Sequence, residues 1–158
     1  MPRLACSLVG ERALFRDVSV PGADVSTVEL EPRTVKGLIG NILGLWRDFA
    51  NPGEMEHTPC LEAWWEKQAV SVEAIELQYG HRQVLGQHRY KNLDQYMKLG
   101  ESGPKPLDYL WDVRLDFELR LREEGVAELE MAWKQPAGLI YFGQSNCPAQ
   151  LMPLRQLD

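Results

Sequence analysis

The chain predicts an α+β fold in which helices cover one face of an antiparallel sheet, and three observations carry that expectation. Residues 111–122 alternate apolar and charged side chains without exception, the mark of a strand with one face on a core. Residues 35–49 repeat apolar side chains at the spacing of an amphipathic helix. Extended and helical patterns then follow in the order strand, helix, strand, hairpin, strand, helix, strand. At 158 residues the chain fits one domain with a real core, and no internal repeat or low-complexity tract interrupts it.

Residues 3–20 read as strand material, with Leu4, Cys6 and Leu8 on one face and a second extended piece at 14–20 that Pro21 and Gly22 end. In the first helix Val35, Leu38, Ile39, Ile42, Leu45, Trp46 and Phe49 share a face, Pro32 stands ahead of it, and Thr34 is the expected cap. Gly37, Gly40 and Gly44 interrupt it. Each costs about 1 kcal/mol against alanine in a helix, so close approach to the sheet or to a ligand is the expected reason. Asn51, Pro52 and Gly53 mark a break, after which Thr58 and Pro59 start a short helix burying Leu61, Trp64 and Trp65.

In the next strand Val70, Val72 and Ala74 share one phase and Ile75, Leu77 and Tyr79 the other, the slip a β-bulge makes. Residues 79–92 contain Arg82, Arg89 and Lys91 with His81 and His88 and no acidic residue, and their glycines suggest an extended hairpin at about 79–94. Residues 99–107 read as a loop leading into the alternating strand. There Trp111, Val113, Leu115, Phe117, Leu119 and Leu121 face a core, while Arg114 and Arg120 face away. Gly125 ends that strand, Val126, Leu129 and Trp133 fit a helix stopped before Pro136, and residues 139–142 read as a short buried strand. Gly143 then turns the chain into a polar loop, Gln144, Ser145 and Asn146, that faces a ligand or simply closes a turn. The element order is the split β-α-β arrangement of ferredoxin-like and RNA-recognition-motif folds.

The net charge of −6 argues against coating nucleic acid with the whole surface but leaves room for a local basic patch. No apolar run approaches a membrane span and residues 1–10 lack the features of a secretory signal, so a cytoplasmic location without a membrane partner is expected. Three scattered cysteines suggest neither a disulfide framework nor a zinc site. No metal motif, phosphate loop, dinucleotide fingerprint or nucleophile elbow is present, so no cofactor, metal or catalytic group is assigned.

Two separated motifs, P-R-T-V-K-G-L-I-G-N-I-L-G at 32–44 and P-A-G-L-I-Y-F-G-Q-S-N-C-P at 136–148, together resemble the fifth family of CRISPR-associated proteins. Tyr109, Leu110, Trp111 and Asp112 also resemble that family's segment before its corresponding strand. The resemblance implies a noncatalytic subunit of a Cascade-like surveillance complex, binding the 5′ handle of the guide RNA and capping the filament of backbone subunits beside the large subunit. Target DNA is then met through the complex. It also implies a single ferredoxin-like domain over 1–150 with a protruding β-hairpin thumb, the place of the basic segment here. Many relatives continue into a second small domain, where 151–158 reads as a tail. Where the family carries a basic residue after the glycine of its last motif, this chain has Gln144.

Single-stranded RNA is held by cations on phosphates, by exposed backbone N–H groups and by flat side chains on bases. Arg33 and Lys36 at the start of the first helix, Arg82, Arg89 and Lys91 in the hairpin, and Gly143, Gln144, Ser145 and Asn146 in the final loop are the expected RNA contacts. His81, His88 and Tyr90 would stack on or hydrogen-bond bases. Two alternatives stand beside this reading. One is a metal-independent endoribonuclease for precursor guide RNA using His81 or His88 with Tyr90 and Lys91. The other is a ferredoxin-like interaction module unrelated to CRISPR, whose glycine motifs are packing devices.

Overall fold

The alternating segment becomes the central strand of a mixed α/β architecture, seen in a computed structural model that describes residues 1–17, 19, 24–45, 60–87 and 105–157. In chain order the described elements are β1 (Arg3–Ala13), β2 (Asp24–Val25), α1 (Pro32–Leu43), α2 (Leu61–Lys67) and β3 (Ser71–Gln78). They continue with β4 (His81–Gln87), β5 (Lys105–Arg120), α3 (Glu123–Lys134), β6 (Ala149–Leu151) and β7 (Arg155–Leu157).

Because β5 alternates strictly from Trp111 onward, one pleat face there must lie on a core, and both of its edges are free to pair. One edge takes β1 antiparallel, in a register that sets Leu4, Cys6 and Leu8 opposite Leu119, Phe117 and Leu115. Past the end of β1 the short β2 continues that edge in parallel, Asp24 against Leu107. The other edge takes β3 and β4, both antiparallel. All the apolar residues just named are buried, and Val35, Leu38, Ile39 and Ile42 of α1 with Val126, Leu129 and Trp133 of α3 complete the same cluster. Arg114 is exposed and Arg120 half-buried on the opposite face, as the alternation requires. That face is a lattice of ion pairs, Arg3 with Glu118 at 3.6 Å, Arg120 with Glu73 at 3.7 Å and Arg114 with Asp116 at 3.0 Å. Trp111 departs from its expected burial: it is only partly covered, although Val113 and Tyr109 on either side of it in the same phase are buried.

The slip expected in β3 is present, between Glu73 and Glu76, with Ala74 at φ 52°. Of the hairpin expected at about 79–94, residues 88–94 lie outside the described residues, and the described part, 81–87, pairs with β5. Gln78 opposes Arg114 and His81 opposes Trp111 in one unbroken register, so β3 and β4 form one edge strand interrupted at Tyr79 and Gly80. The basic arm is one half of a hairpin whose other half begins at Lys105, within the segment expected as loop. The backbone groups of β4 need partners, and the free edge of β5 supplies them. His88, Arg89, Tyr90 and Lys91 lie outside the described residues, as do Trp46, Phe49, Thr58 and Pro59.

Other boundaries move for local reasons. Glu31 occupies the cap position of α1 and Pro32 its first turn, so Thr34 is inside the helix, its N–H reaching Glu31 O at 3.0 Å. Gly44, at φ 74°, closes α1 in the left-handed conformation before Leu45. Cys60 caps α2, its sulfur accepting from the Ala63 N–H. Gly125 does not end a strand but sits buried in the first turn of α3. Residues 139–142 form no strand: Leu139 is 78% exposed, and the segment makes a single bridge from Tyr141 to Pro148. The place beside β1 goes to β6, with Leu8 opposite Leu151, and to β7, with Arg3 opposite Leu157. The expected tail is therefore the outer edge of the sheet, anchored where the Trp133 indole N–H donates to Met152 O at 2.6 Å. No described helix is long and apolar enough to cross a membrane.

Candidate nucleic-acid interface

Where β1, β5 and β4 lie side by side, register alone makes Arg12, Trp111 and His81 a row of direct cross-strand neighbours. Opposed residues of adjacent strands share a face, so the three flat groups line up across the sheet. The His81 and Trp111 rings are parallel within 5°, with centroids 6.1 Å apart. The Arg12 guanidinium lies 5.9 Å from the Trp111 centroid and 5.1 Å from that of Tyr109, and the two rings meet edge-on at 6.3 Å. Such cation–ring contacts contribute about 0.5–2 kcal/mol each, more as they lose water. Tyr109, two residues before Trp111 on the same face, is buried, whereas the His81 side chain is 58% exposed. His81 Nδ1 stands 3.8 Å from Asp112 Oδ2, at the residue where β5 takes φ 55°.

The final glycine loop borders this row. Phe142 is buried against Phe15, their centroids 5.6 Å apart, and its carbonyl accepts from Leu14 N at 3.1 Å. Cys147 is buried too, its N–H donating to Gln144 O at 2.9 Å and its carbonyl accepting from Phe142 N at 2.8 Å. Burial pushes the Cys147 thiol up, with Arg12 opposing the shift, and burial raises the Cys6 thiol as well. Between these anchors Gly143 takes φ 84°, and any side chain there would overlap the Leu14 carbonyl. The close approach that this glycine permits is therefore to the chain's own backbone. Held in this way, Ser145 and Asn146 are exposed and Gln144 is partly covered. Asn146 joins the row twice: its carbonyl accepts from Arg12 Nε at 3.1 Å, and its side-chain amide donates to the Tyr109 hydroxyl at 3.3 Å.

Of the residues singled out in the sequence, the structure thus connects His81 of the basic arm with Asn146 of the glycine loop, through Trp111, Arg12 and Tyr109. It places others elsewhere. Arg33 pairs with Glu31 at 3.1 Å. Lys36 reaches Glu62 at 3.9 Å and lies 5.4 Å over the Trp65 ring, binding α1 to α2. Arg82 donates from Nε to Asp108 Oδ2 at 2.6 Å and from Nη2 to Ser26 O at 2.7 Å, which ties β4 and β5 to the segment after β2. As part of a site, Arg12 is not singled out in the sequence, and Tyr109 and Trp111 enter only through the family-like segment at 109–112, with Trp111 expected in the core. One signal was available: Arg12 continues the phase of Leu4, Cys6 and Leu8, so a charge ends the core face of β1. Among the described residues no group of three His, Cys, Asp or Glu side chains is placed to hold a metal ion.

A family model described as CRISPR-associated protein (Cas_Cas5) matches residues 4–158. Among curated proteins, none matches the chain. Its fold is similar to that of a solved Cas protein, with 17% identity and a TM-score of 0.53 over 96% of this chain and 63% of that one. It is also similar to a functionally uncharacterized protein, SMU1763c from Streptococcus mutans, at 12% identity and a TM-score of 0.51, covering 99% of this chain and 66% of the other. A chain of a CRISPR RNA-guided surveillance complex matches at 12% identity and a TM-score of 0.51, over 90% of this chain and 57% of its own length. The chain thus spans just under two thirds, or less, of the length of these structures.

Proposed function

The chain belongs to the CRISPR-associated Cas5 family, and from that premise we propose that it is the guide-RNA-binding subunit of a Cascade-like surveillance complex. In this role it holds the 5′ handle of the guide RNA and caps the filament of backbone subunits, next to the large subunit, in antiviral defence. The carrying observation is the row of Arg12, Trp111 and His81, which joins the basic arm to the glycine loop in one surface of rings, cation and amide. Single-stranded RNA is recognised by that combination of groups. We read the strand order, with β1 and β5 central and α1 and α3 on one face, as ferredoxin-like, and the β4–β5 hairpin as the thumb.

The role is binding without cleavage. Attack by a 2′-hydroxyl needs a base within hydrogen-bond reach of it and an in-line phosphate. His81 lies parallel to the Trp111 ring, and we read that ring pair as a surface that holds a nucleobase. Photo-crosslinking of guide RNA with thiouridine at each handle uridine, in the complex assembled with its partner subunits, is expected to map to residues 81–87 and 143–146. Crosslinks to the handle that fall entirely on other subunits would overturn the reading. In chelator, precursor RNA should stay intact with the purified chain. A product ending in a 2′,3′-cyclic phosphate and lost in His81→Ala would instead make the protein a nuclease.

A further inference from the structure

We infer that the Arg12–Trp111–His81 row is a seat for one unpaired nucleobase of the guide RNA, a specification that rests on the RNA-binding role proposed above. Three adjacent strands set its width at about 10 Å, the reach of a base and its sugar. Its groups are an indole, an imidazole parallel to it within 5° and 6.1 Å away, and a guanidinium 5.1 Å from the Tyr109 ring and 5.9 Å from that of Trp111. The imidazole is largely exposed, and the buried Tyr109 meets Trp111 edge-on.

Electrostatics select a base over a phosphate at this point. The Asp112 carboxylate, 75% exposed and 3.8 Å from His81, repels an anion approaching the imidazole, and Arg12 already gives its Nε–H to Asn146 O. A neutral ring meets neither obstacle and gains from the adjacent cation and both aromatic faces. Asn146, exposed at the border of the row, is held there by its amide's hydrogen bond to the Tyr109 hydroxyl, and the exposed Ser145 leaves the glycine loop open to the flanking sugar and phosphate. The seat therefore binds a base whose neighbours have been splayed away, which suits an irregular single strand and excludes a duplex.

The test uses the full chain in the complex with its partner subunits and a single-stranded RNA of the repeat sequence, with each handle base removed in turn to leave an abasic sugar. In the unsubstituted complex, one position should weaken binding by roughly 5- to 100-fold when its base is removed. In His81→Ala and in Trp111→Leu that position should become indifferent to the base while the others keep their effects, and Trp111→Phe, which retains a ring, should restore the sensitivity. His81 is exposed, so its variant guards against a folding defect at Trp111. Abasic profiles unchanged in both variants would overturn the seat and leave the RNA-binding role standing. A complex that retains no handle RNA would remove that role and the seat together. Subunits that fall away in the variants with the base preference intact would make the row a protein-docking surface instead.

Discussion

Arg82 stands beside His81 in the same basic arm, yet the two have opposite fates. Successive strand residues point to opposite faces, so His81 joins the exposed row while Arg82 turns to the Asp108 carboxylate at 2.6 Å and the Ser26 carbonyl at 2.7 Å. The Asp108 side chain is 12% exposed, and its second oxygen already lacks a partner among the described residues. Removing the guanidinium leaves that carboxylate without its ion pair in a poorly hydrated place. Arg82→Met is therefore expected to destabilise the fold by about 1–3 kcal/mol in urea denaturation. A midpoint unchanged from the parent would show that Arg82 is free for other work. For the same reason, RNA binding lost on substituting Arg82 reports on a phosphate contact only when the fold of the variant has been verified.

The two glycine-bearing segments that prompted the family resemblance meet as elements. The end of α1 and the segment after α3 interlock where Ala137 N donates to Ile42 O at 3.0 Å, and a Cβ at Gly44 would stand 2.8 Å from that of Ala137. Gly40 packs in the same manner on Leu61 of α2. These glycines permit close approach of chain to chain, so the helix that opens with Arg33 and Lys36 contributes the scaffold of the loop. Farther along, Gly143 is the hinge of that loop, with a left-handed φ and the Leu14 carbonyl in the space of a side chain. Gly143→Ala should cost more than about 2 kcal/mol, since strain and overlap add. It should also detach Asn146 from Arg12 and Tyr109, readable as loss of protection from hydrogen exchange at Leu14 and Cys147. Full stability in this variant would contradict the described loop.

At the scale of the whole molecule, 17 basic against 23 acidic residues leave a net charge of −6, and many of the described cations are committed to ion pairs. Counterion release by such a surface is small, so the isolated chain is expected to bind random-sequence single-stranded RNA more weakly than about 10 µM at physiological salt. Fluorescence anisotropy reporting tighter binding would place a basic surface outside the row. The same scale separates what the chain announces from what it withholds. The alternation of β5, the helical face of α1, the bulge in β3 and the burial of Phe117, Leu119, Leu38, Ile42 and Trp133 were legible, because each follows from a period of two or 3.6 within one segment. The meeting of His81, Trp111, Arg12 and Asn146 was not, and neither was the pairing of Arg82 with Asp108 nor the use of 149–157 as the sheet edge. Local sequence thus determined which face turns inward where a period repeats within one segment, as in β5, α1 and α3. Only the tertiary structure decided which strands lie side by side, because register between distant segments is chosen by burying all their apolar faces and pairing their backbone groups at once.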